Sequence, residues 1–413
     1  MTSPEARTWR KAVPRGAPRV GLFGLLAAGN SGNEASMETV LAYLRSAHPT
    51  AVIDAMSGGA ERVRARHGIV ARPISWYEQF EGRGSRAAAL PLRIFGKFVD
   101  PLRILVWVRR HDAIVVPGAG ILEATLPMRA YGFPLSMFTL GVSAKVSGVK
   151  VALVSVGADF IKKQVTRQLS NGTARLVSYR SYRDPYSMDV MRQRGIDISR
   201  DHVFPDLVFG VPTPAYEPGD PQLVGVGVMD YRGGNDDRAR AGEIHATYAR
   251  KMTTFVRWLL DNGYSVRIFG GDSRADHSVA ERILASVKAN GDAHSSPQIS
   301  TVPMSSYSEM LVEMNRVGTV VATRYHNVMC ALKLSKPTIS VGYSQKFASL
   351  MDGMGVGEYA QFAADLDVDL LIKQFMEVQQ RREELVAEIT VRNEANTASL
   401  ASQFALLSET LFP

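Results

Sequence analysis

Three side chains that could bind an anion follow two neighbouring apolar runs in the last third of the sequence. Arg324 and His326 come two and four residues after the end of VGTVVA, and Lys346 comes four residues after the end of TISVG. Ligands of open α/β sheets bind at the carboxyl ends of the strands, so these side chains are expected at one edge of a sheet. A guanidinium suits bidentate carboxylate or phosphate binding, and an ammonium acts as a point charge. Since residues 320–346 contain no acid, an anion bound between the three cations is predicted.

The elements that must position these residues alternate along almost the whole chain. Short, continuous apolar runs are separated by amphipathic stretches of helix length, which is typical of parallel strands buried on both faces. The segment GVPTPAYEPGDPQ interrupts the alternation with four prolines and two glycines. The pattern predicts two doubly wound α/β domains at residues 20–212 and 222–370, after a loose basic tail at residues 1–19. Residues 371–413 are expected to form a helical segment that packs back on the domains.

Composition limits the functions that the chain can have. The 413 residues carry 48 basic and 40 acidic side chains, a net charge of +8, which favours anionic partners. Cys330 alone cannot form an intramolecular disulfide or a zinc cluster, which fits a cytoplasmic protein. The first 19 residues lack the apolar core of a signal peptide, and no run is long enough to span a membrane. No nucleic-acid motif is present, so we expect no nucleic-acid partner.

A glycine- and asparagine-rich loop follows the first predicted strand and opens a helix. Gly29 and Gly32 permit tight backbone geometry, while Asn30 and Asn33 tolerate turns. The spacing fits neither a dinucleotide fingerprint nor a P-loop. Glu34 falls in the first helical turn, where two interpretations stay open: a carboxylate that stabilises the helix dipole, or one that orients or deprotonates a hydroxyl.

Two further strand ends carry candidate residues. Gly118 and Gly120 flank Ala119 after the run AIVVP, so the backbone there could approach a ligand closely or simply turn tightly. Arg180 and Arg183 lie at another predicted strand end. Arg183 could bind the same anion, or it could pair locally with Asp184.

These pieces, in this order, resemble the polysaccharide pyruvyl transferase family. The unit R-x-H…P-x-I-x-x-x-Y-x-x-K is the most specific part of the resemblance, which extends over about residues 20–350. Asn33 and Ala119 depart from the usual pattern, which has an acid and a glycine there; we expect Ala119 merely to narrow the space. The matching segments are GNSGNE at 29–34, GAG at 118–120, YRDPYS at 182–187, PDLVF at 205–209, RYH at 324–326 and YSQK at 343–346.

The resemblance implies two Rossmann-like domains that face each other across a cleft, as in the GT-B fold. It also implies transfer of the three-carbon unit of phosphoenolpyruvate to a sugar or lipid-linked saccharide, commonly as a cyclic ketal, with release of phosphate. Arg324, Lys346, Tyr343 and, more weakly, Arg183 would then bind the donor. His326 and Glu34 would transfer protons, with the acid and the base not assigned, and the loops at 29–33 and 118–120 would serve the acceptor. No metal or other cofactor is expected.

Two alternative functions remain at this point, and membrane contact is a separate open question. A GT-B glycosyltransferase that uses a nucleotide sugar would need a ribose-binding carboxylate, for which Asp272 and Asp276 are candidates. A non-catalytic anion- or saccharide-binding protein could keep the same pocket. Residues 83–110 mix seven cations with large apolar side chains, so they could contact the inner face of an anionic membrane. We prefer a core helix with a solvated basic face, and expect Pro91 and Pro101 to interrupt it.

Overall fold

The structure is a computed structural model that describes residues 16–80, 86–123, 130–270, 274–288, 298–302 and 306–412. The chain divides into two compact units. The N-terminal unit comprises Met1–Leu207 and Leu400–Pro413, and the C-terminal unit comprises Val208–Ser399. Most of the predicted basic tail lies outside the described residues.

The N-terminal unit is built on a parallel sheet of seven strands, in the order β3-β2-β1-β4-β5-β6-β7. The order reverses between β1 and β4, so this is the switch point at which ligands of doubly wound sheets bind. The strands are β1 Arg19–Gly24, β2 Val52–Ser57, β3 Val70–Pro73, β4 Ala113–Pro117, β5 Lys150–Val156, β6 Tyr179–Tyr182 and β7 His202–Val203. The helices are α1 Ser31–Ala47, α2 Ala60–His67, α3 Arg86–Val108, α4 Phe133–Ser147, α5 Gln164–Leu176 and α6 Pro185–Gln193.

The C-terminal unit repeats the architecture with six parallel strands, in the order β10-β9-β8-β11-β12-β13. Its switch point lies between β8 and β11. The strands are β8 Asp220–Gly227, β9 Ser265–Phe269, β10 Ile299–Val302, β11 Val317–Ala322, β12 Thr338–Gly342 and β13 Ala360–Phe362. The helices are α7 Ala241–Asp261, α8 Arg274–Lys288, α9 Tyr307–Asn315, α10 Tyr325–Lys333, α11 Gln345–Gly353, α12 Val368–Gln380 and α13 Arg382–Leu411, whose last residues belong to the N-terminal unit.

The apolar runs recognised in the sequence form the two cores. All residues of β4, β11 and β12 are buried, as expected for strands that helices cover on both faces. The predicted α/β class and the two Rossmann-like domains are therefore confirmed.

The prediction that Pro91 and Pro101 interrupt the basic apolar segment is wrong, because α3 runs through both prolines. A proline removes only its own backbone donor and strains the preceding turn. The buried face of α3 offsets that loss: Gly96 packs against the Trp76 ring, and Trp107 and Val108 are buried in the core.

Candidate functional site

Arg324, His326 and Lys346 lie at the carboxyl ends of two adjacent strands of the C-terminal unit. β11 and β12 pair in parallel, with Ala322 opposite Ser340. Arg324 is the N-cap residue of α10, and His326 lies in the first turn of that helix. Lys346 lies in the first turn of α11, which follows β12. The sequence prediction that these three residues share one sheet edge agrees with the geometry.

Aromatic rings connect the two strand ends. Lys346 Nζ lies 5.2 Å from the centroid of the Tyr325 ring and 5.6 Å from that of Tyr343. The Tyr325 ring also contacts the His326 ring edge-on, at 6.1 Å between centroids. Cation–π contacts of this length hold an ammonium without neutralising its charge. Lys346 and His326 therefore both contact the Tyr325 ring, and Tyr343 belongs to the same cluster.

A carboxylate that is distant in sequence binds Arg324. Arg324 Nε donates to Asp276 Oδ2 at 3.0 Å and Nη2 donates to Asp276 Oδ1 at 2.7 Å. Asp276 is fully buried in the first turn of α8, and its Oδ1 also accepts the backbone N–H of Asp230 at 2.7 Å. The inference that an external anion must compensate all three cations is therefore wrong for Arg324. The pair fixes the plane of the guanidinium instead.

A second group of contacts supports the same strand ends. Tyr248 is fully enclosed, which raises its pKa to about 12, so its hydroxyl stays a donor to Thr323 Oγ1 at 2.8 Å. His245 Nδ1 lies 2.8 Å from Asp230 Oδ1, and burial lowers the pKa of this histidine. Sequence reasoning missed both residues because they lie on α7, at least 75 residues before Thr323.

Asn327 is a buried polar residue that the sequence prediction also missed. Its side chain is 1% exposed, and neither its Oδ1 nor its Nδ2 has a hydrogen-bond partner among the described residues. The amide packs against Gly227, where a Cβ would approach Nδ2 to 2.6 Å. Ser340 Oγ, in the middle of β12, and Ser344 Oγ, just beyond its end, also lack partners among the described residues. Buried polar atoms without partners are uncommon and require an explanation.

In the N-terminal unit, the asparagine loop forms the turn between β1 and α1. Gly29 has a φ of +90°, a conformation that favours glycine, and Asn30 caps α1 by accepting from the Asn33 N–H at 3.1 Å. The Asn33 side chain donates to the Leu25 carbonyl oxygen at 3.1 Å. A carboxylate at this position could not donate that hydrogen bond, so the departure from the family pattern has a structural role. Gly32 is buried within α1.

Ala119 and Gly120 border a small cavity at the switch point of this sheet, whereas Gly118 does not line it. The cavity holds about 90 Å³ and is lined by residues from both strand ends: Gly24, Leu25, Leu26, Asn30, Asn33, Pro117, Ala119, Gly120, Ile121, Glu123 and Phe133. Gly118 packs against Ser36 and Gly120 against Glu123, so neither position has room for a Cβ. The expectation that Ala119 merely narrows the space is incomplete, because its φ of +64° is a backbone conformation that residues with a side chain rarely adopt. Glu123 was not predicted.

Glu34 does not line this cavity. Its side chain is 6% exposed and accepts a hydrogen bond from Arg66 Nη1 of α2. Burial, followed by the charge of Glu34, raises the pKa of neighbouring Glu38, and Arg66 partly opposes this effect. Arg66 therefore balances a small acidic pair in the first turns of α1.

Arg183 belongs to the N-terminal unit and is surrounded by carboxylates. Its guanidinium lies 3.3 Å from Asp206, 3.6 Å from Asp184 and 3.9 Å from Glu123. The side chain is 7% exposed and covers Gly157, where a Cβ would approach Nη2 to 2.6 Å. Arg183 does pair with Asp184, as the local-pairing interpretation has it, but it is buried and also contacts two acids that are distant in sequence. Arg180 pairs with Asp201 in the same way.

The candidate site in each unit lies at the carboxyl edge of a doubly wound sheet, so the chain is a protein of two Rossmann-like domains. Solved structures of such folds are similar to the chain at low identity. UDP-GlcNAc 2-epimerase from Neisseria meningitidis has 11% identity and a TM-score of 0.60, covering 95% of this chain and 99% of that one. The Methanocaldococcus jannaschii UDP-GlcNAc 2-epimerase has 11% identity and a TM-score of 0.56, with 87% and 91% covered. Anabaena HepE in complex with UDP-glucose has 9% identity and a TM-score of 0.56, with 95% and 99% covered.

The family model of polysaccharide pyruvyl transferases matches residues 30–345. The chain therefore belongs to the polysaccharide pyruvyl transferase family and is a transferase. No curated protein sequence matches it.

Proposed function

We propose that the C-terminal unit binds phosphoenolpyruvate and that the enzyme transfers its pyruvyl unit to a saccharide as a cyclic ketal. The observation that carries this proposal is the cluster of Arg324, His326 and Lys346 at the ends of β11 and β12. Phosphoenolpyruvate presents a carboxylate and a phosphate side by side. The guanidinium that Asp276 orients would offer directed N–H donors to one of these groups, and the Lys346 ammonium would offer a positive charge to the other.

The buried polar atoms without partners support the same assignment. The Asn327 amide lies in the first turn of α10, and the Ser344 hydroxyl lies at the N-cap of α11, so each belongs to a helix that bears a cation; Ser340 lies in the middle of β12, between them. A ligand with several acceptor oxygens would supply hydrogen bonds that the chain itself does not. The first turns of α10 and α11 add backbone N–H groups and the positive ends of two helix dipoles.

The proposed reaction proceeds through protonation and two additions. The methylene carbon of the donor gains a proton, so positive charge develops on the carbon that bears the phosphate. One saccharide hydroxyl adds to that carbon and loses its proton. A second hydroxyl then displaces phosphate, and the carbon–oxygen bond to phosphate breaks as the ketal closes. His326 is the proposed proton-transfer group, because Glu34 is buried against Arg66 and does not line the cavity. The loops at 29–33 and 118–120 are proposed to orient the acceptor.

A nucleotide sugar is the competing donor, because the similar structures include UDP-sugar complexes. The geometry gives this alternative less support. Asp276, one of its two candidate ribose ligands, is fully buried and bound to Arg324, and Asp272 lies outside the described residues.

Thermal unfolding of the full chain with each ligand tests donor choice. Phosphoenolpyruvate should raise the melting temperature, because a ligand that binds only the native state stabilises it. UDP-glucose and UDP-GlcNAc should not, and phosphate and pyruvate should each have a smaller effect. Protection by a UDP-sugar alone would contradict the proposal.

Catalysis is tested by mass spectrometry of free and lipid-linked glycosides after incubation with phosphoenolpyruvate. A pyruvyl mass gain with release of phosphate is expected. Donor binding without any modified glycoside across a broad panel would instead favour a binding protein.

A further inference from the structure

Helix α3 has two apolar faces, and only one of them is covered by the core. Ile104, Trp107 and Val108 are almost completely buried against the N-terminal sheet. Five other large apolar residues of the helix are at least half exposed, namely Ile94 55%, Phe95 57%, Phe98 73%, Leu102 65% and Val106 50%. At 3.6 residues per turn these five positions fall within an arc of about 120° and form one continuous stripe.

The exposed charges that the structure describes on α3, and on the two residues that follow it, are of one sign. Lys97, Arg109 and Arg110 are exposed, and Arg93 is exposed with its guanidinium 4.7 Å from the Tyr77 ring. The only acid of α3 is Asp100, which is 6% exposed and accepts from the Trp76 N–H and from Arg103. Among the described residues of α3 itself, the exposed surface is therefore apolar and cationic, with no exposed carboxylate.

We propose that this face of α3 docks on an anionic lipid bilayer, with the apolar stripe in the interface and the cations at the phosphate level. An exposed apolar stripe flanked by cations is the pattern of helices that lie in a membrane interface. Half-buried Trp76 and Tyr77 adjoin the stripe, with the Trp76 and Phe95 rings 5.5 Å apart, and such aromatics favour the same depth.

A second copy of the chain fits this face less well. A two-fold interface would place the same surface against itself, and would bring exposed Arg93 and Lys97 of each copy close to their own counterparts. An anionic bilayer instead neutralises each of these cations. None of the described helices is long and apolar enough to cross a membrane, so the contact proposed is one at the surface.

The position of α3 in the sheet gives the contact a consequence for the proposed function. Helix α3 connects the carboxyl end of β3 to the amino end of β4, so its N-terminal half adjoins the carboxyl edge of the sheet. The cavity of the asparagine loop opens at that edge. If the proposed function holds, a docked enzyme would meet its acceptor as the head group of a lipid-linked saccharide. The docking itself does not depend on that function.

Co-sedimentation of the full chain with vesicles, without donor or acceptor, tests the docking. The wild-type chain should pellet with phosphatidylglycerol–phosphatidylcholine vesicles and much less with phosphatidylcholine alone. The double variant Phe98→Asp/Leu102→Asp should lower the partition coefficient about tenfold or more. Val391→Asp, at a 63% exposed position of α13, is the matched control and should pellet like the wild type.

Charge reversal provides an independent variant that leaves the apolar stripe intact. Lys97→Glu/Arg110→Glu should lower anionic-vesicle binding by about fivefold per lost cation, and added salt should lower the binding of the wild type. Absence of wild-type binding to anionic vesicles would overturn the proposal. Undiminished vesicle binding by both double variants would also overturn it. A third contradicting result would be a concentration-dependent dimer that Phe98→Asp/Leu102→Asp abolishes, with neither the wild type nor this variant binding vesicles.

Discussion

Arg324 and Asp276 form a bidentate ion pair that joins the end of β11 to the first turn of α8. The two hydrogen bonds measure 3.0 and 2.7 Å, and Asp276 has no exposed surface. The backbone N–H of Asp230 gives the same carboxylate a third donor. An arginine fixed in this way keeps one orientation before any ligand arrives, which reduces the ordering cost of binding.

Replacement of Asp276 by Asn should therefore reduce both stability and donor binding. Loss of one partner leaves the remaining charge of a buried pair uncompensated, at a cost of about 3 kcal/mol in the free energy of unfolding. Chemical denaturation and donor protection against heat are the measurements. Glu243→Gln removes the carboxylate of a fully exposed pair with Arg240 and should change neither. Normal donor protection in Asp276→Asn would show that the pair serves stability alone.

Replacement of Arg324 by Lys should weaken donor affinity more than it lowers the turnover rate at saturating donor. An ammonium cannot keep both hydrogen bonds to Asp276 and also present a planar group to an anion. Arg316→Lys is a matched control, because Arg316 precedes the same strand at its opposite end. Isothermal titration with phosphoenolpyruvate measures the effect. Equal affinities of the two variants would remove Arg324 from the donor site.

Replacement of His326 by Asn should slow the chemical step and leave donor binding largely intact. Asparagine keeps a polar side chain but cannot transfer a proton at neutral pH, so phosphate release should fall by about 10²- to 10⁴-fold. Donor protection should be close to that of the wild type. His202→Asn, in β7 of the N-terminal unit, should keep full turnover. Turnover that survives in His326→Asn would exclude this side chain from the proton transfer.

Asn327→Ala should leave the free enzyme as stable as the wild type or more stable, and should weaken donor protection. The substitution removes a buried amide without partners, whose burial costs about 1–3 kcal/mol. Asn393→Ala is the contrasting variant, since Asn393 Nδ2 donates to the carbonyls of Leu332 and Lys333. Asn393→Ala should destabilise the protein and leave donor affinity unchanged. A destabilised Asn327→Ala with unchanged donor protection would contradict the ligand-binding role.

The sequence predicted which residues lie at the carboxyl ends of the strands, because residues close together in the chain determine where each strand and helix forms. Continuous apolar runs of strand length, each followed by an amphipathic helix, leave few arrangements other than parallel strands. The motif around Arg324 and Lys346 lies within 23 residues that form one βαβ unit, so both ends had to reach the same edge.

The partners of these residues could not be predicted in the same way. Asp276 is 48 residues from Arg324, and nothing in the local pattern of either segment indicates the pair. The Asn327 amide fits where it does only because residue 227, which is 100 residues earlier, is a glycine and has no Cβ. The continuity of α3 through Pro91 and Pro101 depends on packing that overrides the local preference of proline. Contacts distant in sequence decide each of these features.

A pH-dependent contribution to stability should come from Lys336, which is 1% exposed and donates to the carbonyls of Glu217 and Asn315. Burial, with a smaller effect of Arg382, lowers its pKa from 10.5 to about 8. Below pH 8 both states bind the proton, and the folded state bears the full cost of burying the charge. Between pH 8 and 10.5 the folded state has lost a proton that the unfolded state keeps, so stability rises with pH.

The free energy of unfolding of Lys336→Met should therefore rise less steeply between about pH 7 and pH 9.5 than that of the wild type. Lys333, which donates to the Phe209 carbonyl, has its pKa lowered by burial to about 8 and leaves a residual slope in that variant. Lys373→Met, at an exposed position of α12, should keep the wild-type slope. Urea denaturation at several pH values measures all three. Parallel profiles for the wild type and Lys336→Met would mean that Lys336 keeps its proton in the fold, stabilised by the two carbonyls.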